Sequence, residues 1–241
     1  MAFIRQKFAF AHPTFGRSAK EKLSRPYTNS VYYLWWEFLR RNDDYLKCCK
    51  SGGKGKLKSL YMDFGDVFDV DFKTWWQTND KGASLFAEEH LPEFAIITES
   101  SQVYQNEEII YLRVPLSLPK RYLMREFQSV LDRNHQGRAG IRTNKHSTSK
   151  YPISGHVDMD SLDKCLRVYD MKKQNPKMYL WEVAQKCKIT KTKQYVLNDG
   201  SESPSVISDK KLILANTASR LLKKAEKIIA GTGSGEFPVL K

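Results

Sequence analysis

Between Val31 and Leu39 the chain reads VYYLWWEFL, and only one of those nine residues is charged. Val31, Leu34, Trp35 and Phe38 recur at the i, i+3, i+4, i+7 spacing of one helix face, while Tyr32, Tyr33, Trp36 and Leu39 fill much of the remaining circumference. Such a helix cannot lie on a surface. Its spacing predicts a central helix, capped by Asn29 or Ser30 and running to about Arg41, that other parts of the chain must cover on more than one side. Glu37, Arg40 and Arg41 within it must then be paired or reach water, and a structural ion pair is expected. The Trp35/Trp36 and Trp75/Trp76 doublets read as core, with an aromatic platform for bases as the alternative.

The 241 residues suffice for one large domain or two modest ones. The expected fold is mostly α with a small β contribution. It divides into a basic irregular segment at 1–28, an aromatic-rich α+β domain at 29–136, a basic linker or loop at 137–157, and a basic helical, helix-turn-helix-like unit at 158–241. Asn42, followed by Asp43 and Asp44, caps a second short helix through Cys49, and Asp71 caps one carrying Phe72, Trp75 and Trp76. Strands are expected at Phe94–Thr98 and Ile109–Val114. A helix from Lys120 to about Asn134 follows, with Ser117 as its cap and Leu123, Phe127, Val130 and Leu131 as its apolar face. From Arg133 to Val157 there are five Lys/Arg, three His and no acid, a composition without apolar period that places the linker there.

The C-terminal part reads as three helices. Asp158 or Asp160 caps the first, which carries Leu162, Cys165, Leu166 and Tyr169 and ends at Asn175-Pro176. Leu180, Val183, Ala184 and Cys187 mark the second. Lys188 to Val206 interrupts the pattern, with a hairpin or ribbon turning at Asn198-Asp199-Gly200. Ser208 or Asp209 opens the last helix, whose core positions are Leu214, Ala218, Leu221, Ala225 and Ile228 and whose end is Gly231.

Charge gives this part its chemistry. The chain carries a net +13; residues 1–136 hold 20 Lys/Arg against 17 Asp/Glu, and residues 137–241 hold 20 against 10. A basic patch of this kind favours polyanions, nucleic acid before an anionic membrane surface; a solubility charge without a ligand is the plain alternative. Two helices with a short turn, followed by a third rich in Lys, Asn, Thr and Arg, are the parts of a unit that lays one helix in the major groove of duplex DNA. Asn216 and Arg220 lie i, i+4 apart; Asn can read adenine and Arg guanine. Lys210, Lys211, Lys223, Lys224 and Lys227 complete the expected nucleic-acid-binding set as phosphate contacts. The roughly 20 residues between the second and third helices exceed the three or four of a standard motif, which implies an inserted ribbon or a different arrangement.

The Tyr32-Tyr33-Leu34-Trp35-Trp36-Glu37-Phe38-Leu39-Arg40-Arg41-Asn42 block, followed by Asp44-Tyr45, resembles the W-E-F-L-R-R-N-x-x-Y signature of uncharacterised bacterial proteins of phages, plasmids and integrative elements. Leu166-Arg167-Val168-Tyr169-Asp170, Trp181-Glu182-Val183-Ala184 and the closing run Leu222 to Pro238 are similar to the C-terminal helices of those proteins. The similarity covers short blocks near both ends. It implies a mobile-element, DNA-associated protein, assigns no activity and carries over no functional residue; the role expected of the basic helical part is a transcriptional-regulatory or architectural one.

No catalytic constellation is visible, and the protein is not expected to be an enzyme. Asp63-Phe64-Gly65 lacks the other kinase motifs, and Gly52-Gly53-Lys54-Gly55-Lys56 lacks the phosphate-loop spacing. Asp63, Asp66, Asp69 and Asp71 fit no calcium loop, so a metal-dependent nuclease is a remote third reading. No cofactor, metal or membrane partner is expected, and no coiled-coil seam indicates an oligomeric state. Cys48, Cys49, Cys165 and Cys187 form no C-x-x-C pair and read as reduced thiols of a cytoplasmic protein. Duplex DNA is the expected partner; a module that docks on a protein through its basic or aromatic surface is the second reading.

Overall fold

The computed structural model describes residues 7–16, 26–79, 81–88, 110–134, 147–153, 157–190, 197 and 202–238. Among them it is mostly helical. Nine α-helices follow in order: α1 Val31–Arg40, α2 Asp43–Lys50, α3 Lys58–Phe64, α4 Phe72–Gln77, α5 Ala83–Phe86, α6 Lys120–Asn134, α7 Met159–Gln174, α8 Leu180–Lys186 and α9 Pro204–Gly233. The β contribution is one antiparallel pair, β1 Lys7–Phe8 with β2 Ala87–Glu88.

The chain forms two compact units, and their boundaries differ from the expected ones. Met1–His90 and Asn144–Lys241 make one unit; Leu91–Thr143 makes the other. The expected separation of an N-terminal domain from a C-terminal helical unit is therefore corrected: both belong to the same body. The reason is the aromatic helix. Seven of its ten residues are buried, and the cover comes from both ends of the chain. Trp35 has no exposed surface, and it is ringed by Phe64, Phe86, Tyr151 and Phe237 at centroid distances of 6.3, 5.3, 5.8 and 5.2 Å. Tyr151 and Ile153, placed by composition in a linker, are buried in this core, and Ile153 bridges Phe237 in parallel. The Trp doublets are core as well, so no stacking platform for bases is formed by them.

Local signals fix the helix ends. The Ser30 hydroxyl accepts the Tyr32 N–H at 3.3 Å, and the Asp71 carboxylate accepts the Thr74 N–H at 3.1 Å. The Thr74 hydroxyl and N–H together hold the Asp71 carboxyl below its ordinary range. The ion pair expected within α1 is present and reaches further than that helix. Arg41 donates to both Asp170 oxygens at 2.6 and 2.5 Å and to Glu37 Oε2 at 2.5 Å, fastening α1 to α7. Arg40 lies 4.6 Å over the Trp36 ring.

Asn42 joins three elements. It is buried; its Oδ1 accepts the Asp44 and Tyr45 N–H groups at 3.0 Å each, capping α2, and its Nδ2 donates to the Ile229 carbonyl of α9 at 2.8 Å. Replacement of Asn42 by Ala removes the cap and orphans a buried acceptor, an expected loss of about 2–4 kcal/mol by urea unfolding. Asn42→Asp retains the cap but sets a buried carboxylate oxygen against the Ile229 carbonyl, so it too should be less stable than the parent.

The second unit is described over residues 110–134. Strand Phe94–Thr98 lies outside the described residues. Ile110–Val114, expected as strand, carries no regular secondary structure and has no ladder partner among the described residues, since alternation alone does not make a sheet. Helix α6 spans the expected residues, but its N-cap position is Pro119, whose carbonyl accepts the Leu123 N–H at 3.1 Å, and not Ser117. Leu123, Phe127, Val130 and Leu131 are only half-buried.

Candidate nucleic-acid interface

The three C-terminal helices lie in the first unit, with α7 and α8 both packed on α9. Asp158 caps α7 by accepting the Ser161 N–H at 3.1 Å. Asn175 stops it, donating back to the Met171 carbonyl at 3.1 Å. Lysine and arginine then clamp the turn to α8. Lys172 Nζ donates to the carbonyls of Pro176 and Met178 at 2.7 and 2.8 Å, and Arg167 to the Cys187 carbonyl at 2.6 Å. At the start of α8, Glu182 accepts the Tyr179 N–H at 3.0 Å. Val168, Val183, Ala184, Cys187, Ile189, Leu214 and Ala218 form the core between the three helices.

Helix α9 is 30 residues long, about 45 Å at ~1.5 Å per residue. It starts earlier than expected: Ser203 caps it, accepting the Val206 N–H at 3.4 Å, with Pro204 in the first turn. It ends at Gly233, two residues past the expected Gly231. The ribbon expected around Asn198-Asp199-Gly200 falls outside the described residues.

The buried positions Leu214, Ala218, Ala225, Ile228 and Thr232 run along one side of α9. Asn216, Arg220, Lys223 and Lys227 are exposed. Their steps of four, three and four keep them in one stripe, and at ~100° per residue that stripe is opposite the buried side. None of the three cations joins an ion pair among the described residues. The ion pairs of these helices lie elsewhere, at Arg41–Asp170, Lys164–Asp160, Arg167–Asp163, Lys173–Asp43 and Lys210–Glu202.

The other three expected contacts are turned into the protein. Lys210 is bonded to the Glu202 carboxylate, with 12% of its side chain exposed. Lys211 holds its ammonium 4.4 Å from the centre of the Trp181 ring. Lys224 donates to the Ser161 hydroxyl at 2.9 Å, tying α9 to α7. These positions flank the buried side instead of opposing it. A helical projection from Leu214, Ala218 and Ala225 carries that signal; a count of lysines does not.

Comparison with protein-family models, with curated proteins and with solved structures finds no match.

The remaining candidate chemistry is engaged locally. Asp63 accepts from Lys150 at 2.6 Å and from the Tyr151 hydroxyl at 2.5 Å, Asp66 from the Phe68 N–H at 2.9 Å, and Asp71 from Thr74. Among the described residues no three His, Cys, Asp or Glu side chains gather as metal ligands. All four cysteines are free and buried. Burial pushes the Cys165 thiol up to about 11 and the Cys49 thiol up to about 12, which suppresses the reactive thiolate. Among the described residues no helix is long and apolar enough to cross a membrane.

Proposed function

We propose that this protein binds duplex DNA through the exposed stripe of α9, as a regulatory or architectural protein of the mobile-element type that its terminal sequence blocks resemble. The observation that carries this reading is the row Asn216, Arg220, Lys223 and Lys227, exposed on one side of a helix whose other side is anchored in two cores. Three cations without an ion-pair partner among the described residues, set along about 10 Å of a rigid helix, form a positive face suited to the negative field of duplex DNA. Asn216 adds a side chain able to pair with an adenine edge.

The test is binding of the full chain to a mixed-sequence duplex across a salt series. The expected result is a linear fall of log affinity with log salt, with a slope near −2 from Lys223 and Lys227, at about −0.9 per phosphate contact. Negligible binding at low salt would overturn the reading.

A second reading, a protein-docking module, has its own observation. Ile110, Leu112, Val114, Leu116 and Leu118 recur at every second residue of one segment of the second unit, and each is at least 40% exposed. Capture of a protein from a bacterial lysate that survives nuclease treatment, and is lost on Leu112→Ser with Leu116→Ser, would favour it.

A further inference from the structure

The α9 stripe is chemically polar along its length. Asp209 and Leu212 share the solvent side with Asn216, two turns and one turn before it respectively, and Leu212 is 60% exposed, although an isoleucine, a leucine and an alanine of the same helix are fully buried. Beyond Asn216 the same side carries Arg220, Lys223 and Lys227, with exposed Glu226 at its edge. The lysines available at the front, Lys210 and Lys211, are held by Glu202 and Trp181. A front end with a carboxylate, an exposed leucine and no disengaged cation is unsuited to phosphates, whereas the back end suits them.

We infer that the front of the stripe is a base-reading segment, in which Leu212 packs against a thymine methyl group, Asn216 pairs with adenine and Arg220 with guanine. This inference rests on the duplex-binding reading and adds its sequence chemistry. Each partner follows from major-groove chemistry: thymine alone offers a methyl, adenine offers the donor–acceptor pair that an amide complements, and guanine offers the two acceptors that a guanidinium complements. Asp209 is tolerated at this end because cytosine presents an amino donor there. Four-residue steps of about 6 Å place the three readers across about 12 Å, or three to four base-pair steps of ~3.4 Å. Lys223 and Lys227, further along, then meet the backbone where the helix leaves the groove. The element read is short and mixed, with A·T pairs toward the start of α9 and a G·C pair toward its middle.

The test uses the full chain. Duplexes are selected from a random-sequence pool, and the winning duplex is remade with deoxyuridine in place of each thymidine in turn, which deletes one methyl group and nothing else. The expected result is a selected element containing both A·T and G·C pairs, with one thymine whose methyl loss weakens the wild-type protein about fourfold. Leu212→Ala should bind the parent duplex correspondingly less well, show no response to that deoxyuridine, and keep an unchanged salt slope and melting temperature. Selection without enrichment, enrichment without a methyl effect, or an undiminished methyl effect in Leu212→Ala each overturns the inference while duplex binding stands. Absence of binding at low salt removes both.

Discussion

Replacing Trp35 by Ala is expected to cost about 3–5 kcal/mol, the range for deleting a fully buried large aromatic side chain. Against a total of about 5–15 kcal/mol for a domain, that is a large share of the stability of the larger unit. The effect is one of packing. Among the described residues the Trp35 indole N–H has no hydrogen-bond partner, so its loss breaks no hydrogen bond there. What goes is the common surface for Phe64, Phe86, Tyr151 and Phe237, side chains from four separate stretches of chain. Urea unfolding followed by far-ultraviolet circular dichroism checks it. A loss below about 1 kcal/mol would mean that the site collapses around the cavity and that this ring is no keystone.

The second large effect concerns binding. Arg220→Ala, Lys223→Ala and Lys227→Ala together remove the cations of the α9 stripe that lack a partner among the described residues. At about 0.9 per phosphate contact the loss of Lys223 and Lys227 should flatten the salt slope by roughly 1.8, and with the Arg220 base contact gone as well affinity at low salt should fall by two to three orders of magnitude, each contact being worth about 1 kcal/mol or more. All three positions are exposed, so the melting temperature should stay within a few degrees. Lys210, Lys211 and Lys224 supply the control. Changing Lys210 and Lys224 breaks contacts to Glu202 and Ser161 and should lower stability before it touches the slope. A triple variant with an unaltered slope would move phosphate contact to another surface.

Much of this was legible from residue order. The mostly helical class, the capping residues Ser30, Asn42, Asp71 and Asp158, and the aromatic core all follow from local spacing, because capping and amphipathicity act within a turn or two. What was not legible is long-range. Tyr151 sits between basic and polar residues and Phe237 follows a glycine-rich exit, so neither carries a periodic sign that it closes a core begun at Trp35. The early start of α9 was hidden because Ser205, Val206, Ser208 and Asp209 are exposed and give no apolar period; only the Ser203-Pro204 pair marks it. Ile110–Val114 has strand alternation, but a strand also needs a neighbour, which composition does not supply. At the candidate interface the helix was readable, whereas the direction of each lysine depended on Glu202, Trp181 and Ser161, partners on other elements or at the start of α9 itself.

The seat of Phe237 has a consequence for how the protein comes into being. This ring has no exposed surface and packs on Trp35 and Phe38, residues about 200 positions earlier in synthesis. While translation proceeds, the aromatic helix emerges first and waits with one side uncovered, because domains mature from the N-terminus as the chain is made. Contacts so distant along the chain also close slowly. Nascent chains ending before Phe237 therefore present bare indole and phenyl surface, the kind of surface chaperones and proteases engage. Production of the protein should depend on the passage of Phe237 out of the ribosome, and a premature stop between Lys227 and Phe237 should leave little product in the cell even though every residue of the α9 stripe has been made.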